Sequence, residues 1–172
     1  MVELTEPEAR ARERVCLPLD GLQDMGAVEQ RVQELSPVVG LFKVGKETYT
    51  RFGYDAVHLV QNNGSNVFLD LKYHDIPNTV YGAAKAAAEH EVYMFNVHAA
   101  GGYEMMRAAR DGVRDGAASS QPPKILGVTV LTSLDTLRYI HNNLGLIEAL
   151  PSFVGDYSDE IEKLGELSPL RQ

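Results

Sequence analysis

Phe68-Leu-Asp-Leu-Lys-Tyr-His-Asp-Ile-Pro-Asn-Thr79 is the stretch on which the fold of this chain turns. Asp70, Lys72 and Asp75 fall within six residues, at the carboxyl end of the apolar run 66–72. Burying charge is costly unless the charge is paired or used. Pro77 follows directly and suits the first turn of a helix, and 79–91 is rich in alanine, a strong helix former. The stretch therefore reads as one β-α unit with charges where the strand ends.

The same unit repeats in both directions. Apolar runs at 14–20, 37–45, 66–72, 92–98 and 124–132 are continuous rather than alternating, as in strands buried on both faces of a sheet. Between the first two, Met25, Val28, Val32 and Leu35 recur at helical spacing within 24–35. Residues 46–61 read as helical despite Gly53. Residues 102–115 and 133–142 complete the alternation, the last opened by a capping box, Thr132-x-x-Asp135. Five β-α units demand a parallel sheet with helices outside it, so the class is α/β, either doubly wound or a (β/α)8 barrel. No G-x-G-x-x-G follows the first run, which weighs against dinucleotide binding. Polar groups end several strands: Asp20, Lys43, Asp70 with Lys72, His98, and Thr132 with Ser133. Barrel enzymes assemble their sites in this way. The expected layout is a charged lead at 1–13, a barrel portion with strands one to five at 14–144, and a segment at 145–172 with one weak helical pattern, 157–164.

The chain of 172 residues is long enough for one domain with a real core. Its net charge of -8 argues against a nucleic-acid-binding face and leaves a small anionic ligand open. The single cysteine, Cys16 in Val15-Cys16-Leu17, allows no intrachain disulfide. A reducing, cytoplasmic setting and a buried structural thiol are the expectation. The opening MVELTEPEARARER lacks an apolar core, so no signal peptide is expected, and no apolar run is long enough to span a membrane.

Side chains alternate along a strand, so Asp70 and Lys72 share a face, the interior one in a closed barrel. Asp75 lies past the strand, and spacing does not fix its position. Spacing alone leaves two readings. One is an ion pair that caps the strand, with Asp75 as a helix-start acid. The other is a preorganised array for a developing anion, strengthened by Lys43 in Phe42-Lys-Val-Gly45. Among other residues, His98 reads as a hydrogen-bonded wall, Gly101-Gly102 as a turn into a helix, and Asn62-Asn63-Gly64 as a loop. Met105-Met106 reads as core. His74 carries no assignment.

The run Asp70-Leu-Lys-Tyr-His-Asp-Ile-Pro-Asn-Thr79 resembles the signature of bacterial-type orotidine 5′-phosphate decarboxylases, Asp-x-Lys-x-x-Asp followed by Ile-Pro-Asn-Thr. Leu19-Asp20, Phe42-Lys-Val-Gly45, Phe95-Asn-Val-His-Ala-Ala-Gly-Gly102 and Val128-Thr-Val-Leu-Thr-Ser133 match in the same order. The resemblance runs over roughly residues 14–140. It implies a (β/α)8 TIM barrel, with about five β/α units in this chain, and a homodimer. It implies a carboxy-lyase that converts orotidine 5′-phosphate to UMP and carbon dioxide, the last step of de novo pyrimidine synthesis, with no metal and no organic cofactor.

By the same resemblance, Asp20 binds the ribose hydroxyls and Lys43 joins the charged network beside the ribose. Asp70 sits next to the substrate carboxylate, and Lys72 supplies the proton that replaces carbon dioxide. Asp75 and Thr79 reach the neighbouring subunit's site, where Asp75 completes the catalytic charged network; Ile76 packs beside it, and Thr132 with Ser133 contacts the pyrimidine. The family's late phosphate-gripping Gln and Arg find no matching motif within 145–172, so weak binding and reduced turnover are expected. A fragment or internally deleted product, a barrel completed by a partner or by swapping, and a natural short homologue with another role all stand open. Two other functions also stand. One is a magnesium-dependent sugar-phosphate lyase or decarboxylase sharing Asp-x-Lys-x-x-Asp. The other is a non-catalytic incomplete barrel that binds nucleotide or a partner.

Overall fold

The computed structural model describes residues 4–118 and 121–129, and its five strands lie side by side in chain order. They are β1 (Cys16–Pro18), β2 (Leu41–Gly45), β3 (Asn66–Tyr73), β4 (Met94–His98) and β5 (Lys124–Val128), and every neighbouring pair is parallel. Helices fill the crossovers: α2 (Met25–Leu35), α3 (Lys46–Phe52) with α4 (Tyr54–Asn62), α5 (Pro77–Glu89) and α6 (Gly102–Gly116). This is the α/β architecture that the alternating runs demand, and all five strands fall in one unit, Met1–Val128. Parallel neighbours in sequence order leave every strand's carboxyl end on the same edge of the sheet, which is where the charged residues lie.

Local chemistry sets the element ends. The Asp24 carboxylate accepts from Ala27 N–H at 2.8 Å and starts α2. Pro77 is the first residue of α5, where a missing N–H costs nothing. The single helix expected over 46–61 is two helices. Gly53 takes φ +58, open to glycine, and its N–H closes α3 on Tyr49 O at 2.7 Å before α4 begins. After β4, a 3₁₀ turn (Ala99–Gly101) leads into α6, as the Gly101-Gly102 pair suggests.

The core is the seam between sheet and helices. Phe42, Val44, Leu69 and Phe95 are fully buried against Val28, Val57 and Val80 of the helices, and Met105 joins them while Met106 packs at the edge. Each such side chain contributes roughly 1.5–3 kcal/mol relative to exposure. Burial on both faces holds for β2 but fails for β1 and β5, which alternate or stand open. These two are the outer strands of the five described, and each pairs on one side only. Cys16, expected buried, is therefore exposed.

The charged lead is not featureless. Residues Glu6–Arg12 form α1, opened by Glu8, whose carboxylate accepts from the Thr5 N–H at 2.8 Å and hydroxyl at 2.7 Å. Arg12 anchors it to the body, donating to Ser36 O at 2.9 and 3.0 Å and to Gly64 O at 3.1 Å. Helices α5 and α6 approach closely because Gly112 and Gly116 face the backbone of Tyr81 and Lys85. The helical patterns at 133–142 and 157–164, the Thr132–Asp135 capping box, and Thr132 and Ser133 themselves lie outside the described residues. Within those described, no helix is long and apolar enough to cross a membrane.

Candidate functional site

Adjacent parallel strands bring the charges together. The β2–β3 register sets Lys43 beside Phe68 and Gly45 beside Asp70. Lys43 Nζ then lies 2.7 Å from Asp20 Oδ2, past the end of β1, and 3.5 Å from Asp70 Oδ2. Asp70 Oδ1 accepts from Lys72 Nζ. The result is an acid–base–acid–base chain, Asp20–Lys43–Asp70–Lys72, that spans three strands. Side-chain exposure runs from 13% at Asp70 through 21% at Lys43 and 28% at Lys72 to 48% at Asp20. Screening by water is therefore weakest around Asp70, where charge placement counts most.

Asp70 and Lys72 do meet, but not by simple alternation. Leu69 pairs with Phe95 and Tyr73 pairs with Val97, so three residues of β3 stand opposite one residue of β4, Asn96. Lys72 sits at the bulge with φ +51, a left-handed conformation that costs a lysine on the order of 1–3 kcal/mol. Its N–H donates to Asn96 Oδ1 at 2.7 Å. Asn96 Nδ2 donates to Asp70 Oδ1 at 2.7 Å. Asn96 is 3% exposed, and the sequence reading passed it over. Its signal was present: a polar side chain inside the buried run Met94-Phe-Asn-Val-His98 needs partners.

Two opposed effects act on Asp70. Burial pushes its carboxyl up, but the hydrogen bonds from Lys72 and Asn96 and the charges of Lys72 and Lys43 outweigh burial and hold it below the ordinary value. Asp70 is thus a fixed anion between two cations. His98, at the end of β4, is held below the ordinary histidine range by burial, then by His74, Lys46 and Lys72. Its ring lies 5.3 Å from that of His74, so the two histidines form one flank.

Asp75 does not join this array. It is exposed in the turn before α5, and its Oδ1 accepts from Ile76 N–H at 2.6 Å. Ile76, 65% exposed, and Thr79 also face outward from the start of α5. The site residues thus divide into an inner set on strand ends and an outer set at one helix start. Chemically, the inner set can present the Lys72 ammonium, held on one side by a carboxylate, to an anion that forms beside it.

Residues 13–147 match the family model described as orotidine 5′-phosphate decarboxylase / HUMPS family. The orotidine 5′-phosphate decarboxylase of Moorella thermoacetica is 51% identical over 127 residues, 73% of this chain and 50% of its own length. That of Syntrophotalea carbinolica is 45% identical over 145 residues, 82% of this chain and 59% of its own. Among solved structures, orotidine 5′-phosphate decarboxylase from Lactobacillus acidophilus has 38% identity and a TM-score of 0.63, over 70% of this chain and 55% of that one. The chain spans between half and three-fifths of the length of these relatives.

Proposed function

The chain belongs to the orotidine 5′-phosphate decarboxylase / HUMPS family, and on that premise we propose that its charged array serves the decarboxylation of orotidine 5′-phosphate to UMP. The observation that carries the proposal is the Lys72 ammonium fixed against Asp70 at the sheet's carboxyl edge. Loss of carbon dioxide from C6 of the pyrimidine leaves an electron pair on that carbon. A fixed cation about 4 Å away, at an effective dielectric of about 20, stabilises such a charge by on the order of 4 kcal/mol. That corresponds to about three orders of magnitude in rate. Lys72 then gives a proton: an N–H bond breaks, the C6–H bond forms, and the neutral amine regains its proton from water.

Asp70, already ionised and paired, sets its charge where the substrate carboxylate enters. Lys43 bridges Asp70 to Asp20, and Asp20, at the open rim, takes the ribose hydroxyls. Thr132 and Ser133 contact the pyrimidine. Asp75, Ile76 and Thr79 serve the site of a second copy in a homodimer, in keeping with their exposure at the start of α5. No metal or organic cofactor takes part in this scheme. A cytoplasmic setting fits a chain with one cysteine and a nucleotide substrate.

The test is calorimetric titration of the chain with 6-hydroxy-UMP, an anionic analogue of the C6 carbanion. Binding is expected, and Lys72→Ala should abolish it. A folded wild-type chain that binds none of the analogue would overturn the proposal. Turnover of a sugar phosphate that depends on magnesium would replace it with the lyase reading.

A further inference from the structure

We propose that Asn96 is a positioning residue for this site, its carboxamide locking the β3 bulge that aims Lys72 at Asp70. The inference deepens the function proposed above, but only its kinetic consequence rests on that reading. The two hydrogen bonds of Asn96 run in opposite senses. Oδ1 accepts from Lys72 N–H, and Nδ2 donates to Asp70 Oδ1, each at 2.7 Å. A backbone N–H can only donate, and an ionised carboxylate can only accept. The amide therefore has one workable orientation, and it ties the backbone of one charged residue to the side chain of the other.

The bulge gives this tie its purpose. Between the pairs Leu69–Phe95 and Tyr73–Val97, the extra residues of β3 would leave Lys72 N–H without a regular strand partner, on a residue at φ +51. Asn96, 3% exposed and directly opposite, supplies an acceptor there. The replacements nearest to it in shape do not do both tasks. Aspartate accepts but cannot donate when ionised, leucine does neither, and alanine leaves a gap. Buried polar groups are paired with few exceptions, so the carboxamide and the left-handed lysine sustain each other.

Asp70 is faced by Lys72 from its own strand, Lys43 from β2 with Asp20 bonded beyond it, and Asn96 from β4. Of these, Asn96 is the uncharged one, so changing it alters a hydrogen bond without removing either cation. Asn96→Asp keeps the acceptor for Lys72 N–H, loses the donor to Asp70, and sets a like charge beside it. Asn96→Ala loses both contacts. The pair of variants separates the two halves of the proposed role.

The experiment is NMR on the full isotope-labelled chain and needs no turnover. In the wild type, a scalar coupling through the hydrogen bond is expected between Lys72 ¹⁵N and Asn96 ¹³Cγ; its absence overturns the inference, even if neither variant folds. In Asn96→Asp, the Asp70 carboxyl should titrate higher by about 1 pH unit or more, with the Lys72 amide still protected from exchange. In Asn96→Ala, that amide should exchange at least about tenfold faster. An unmoved Asp70 titration in folded Asn96→Asp overturns the inference. If the wild type also turns over substrate, Asn96→Ala should lower kcat and leave KM nearly unchanged, whereas a change confined to KM would refute positioning. Failure of the wild type to bind 6-hydroxy-UMP would sink the proposed function and leave the NMR result to decide the role of Asn96.

Discussion

Gly45→Ala should separate the site from the fold. Gly45 ends β2 and precedes α3 with φ -84 and ψ 177, a conformation any residue adopts, so alanine adds no backbone strain. Its new methyl would lie 2.6 Å from Asp20 Oδ1 and 2.9 Å from Lys43 Nζ. Both are tips of flexible side chains, so the collision resolves by pushing the Asp20–Lys43 pair apart. That pair is partly exposed, and its loss costs about 0.5–1 kcal/mol after screening. Replacing glycine returns about 0.4–1 kcal/mol through the unfolded chain. The two nearly cancel, and Tm should move by no more than about 3 °C. Affinity for 6-hydroxy-UMP behaves differently. Displacing Lys43 forfeits a charge-assisted contact of about 1.5–3 kcal/mol, so binding should weaken about 10- to 150-fold. Thermal melts and calorimetric titration of the same samples check both numbers. Wild-type affinity in the folded variant would refute the claim that the array is set by this pair, and a fall in Tm beyond about 8 °C would refute the claim that only side-chain tips must move.

The other expectations concern packing, acid stability and the first helix. Gly112→Ala would set a methyl 2.3 Å from Tyr81 O and 3.1 Å from Lys85 N, backbone atoms that cannot swing aside. It should cost about 1–3 kcal/mol in urea unfolding, whereas Gly82→Ala, with nothing within 4 Å, should stabilise α5 by about 0.5–1 kcal/mol. Asp70 titrates below the ordinary 3.8 in the folded chain, so its contribution is complete above that value and is lost as pH falls through the lowered one. Chemical denaturation across pH should therefore show Asp70→Asn flattening the stability curve below about pH 4, with an unchanged slope near neutrality. Arg12→Ala should free Ser36 O and Gly64 O, cost about 1–3 kcal/mol, and raise hydrogen exchange in α1 before the sheet opens. Exchange in α1 equal to the wild type would show that the helix is held some other way.

Much of this molecule is written locally. Continuous apolar runs, the Met25–Leu35 spacing and Pro77 before an alanine-rich stretch each act within about a dozen residues, and each produces the element expected. Asp70 and Lys72 meet, as the Asp-x-Lys spacing suggests, but through the bulge at Lys72 and not by the alternation on which that reading rests. Local reading erred where one residue cut across a longer pattern, as Gly53 does between α3 and α4, and where burial depended on neighbours, as at Cys16 in β1. It also treated Glu6–Arg12 as a charged lead, because the partners of Arg12 lie 24 and 52 residues away.

The sequence by itself determined the order of five strands and of the helices between them, and the placement of acids and lysines at strand ends, because periodicity and turn chemistry are short-range. Only the tertiary structure decided which charges touch. Lys43 reaches both Asp20 and Asp70 through strand registers that no local pattern encodes. Asn96 acquires its place through a bulge in a strand some two dozen residues earlier, and Asp75 is left outside the array by the turn that starts α5. Pairing between parallel strands joins residues separated by an entire crossover, so its consequences are fixed only when the sheet assembles.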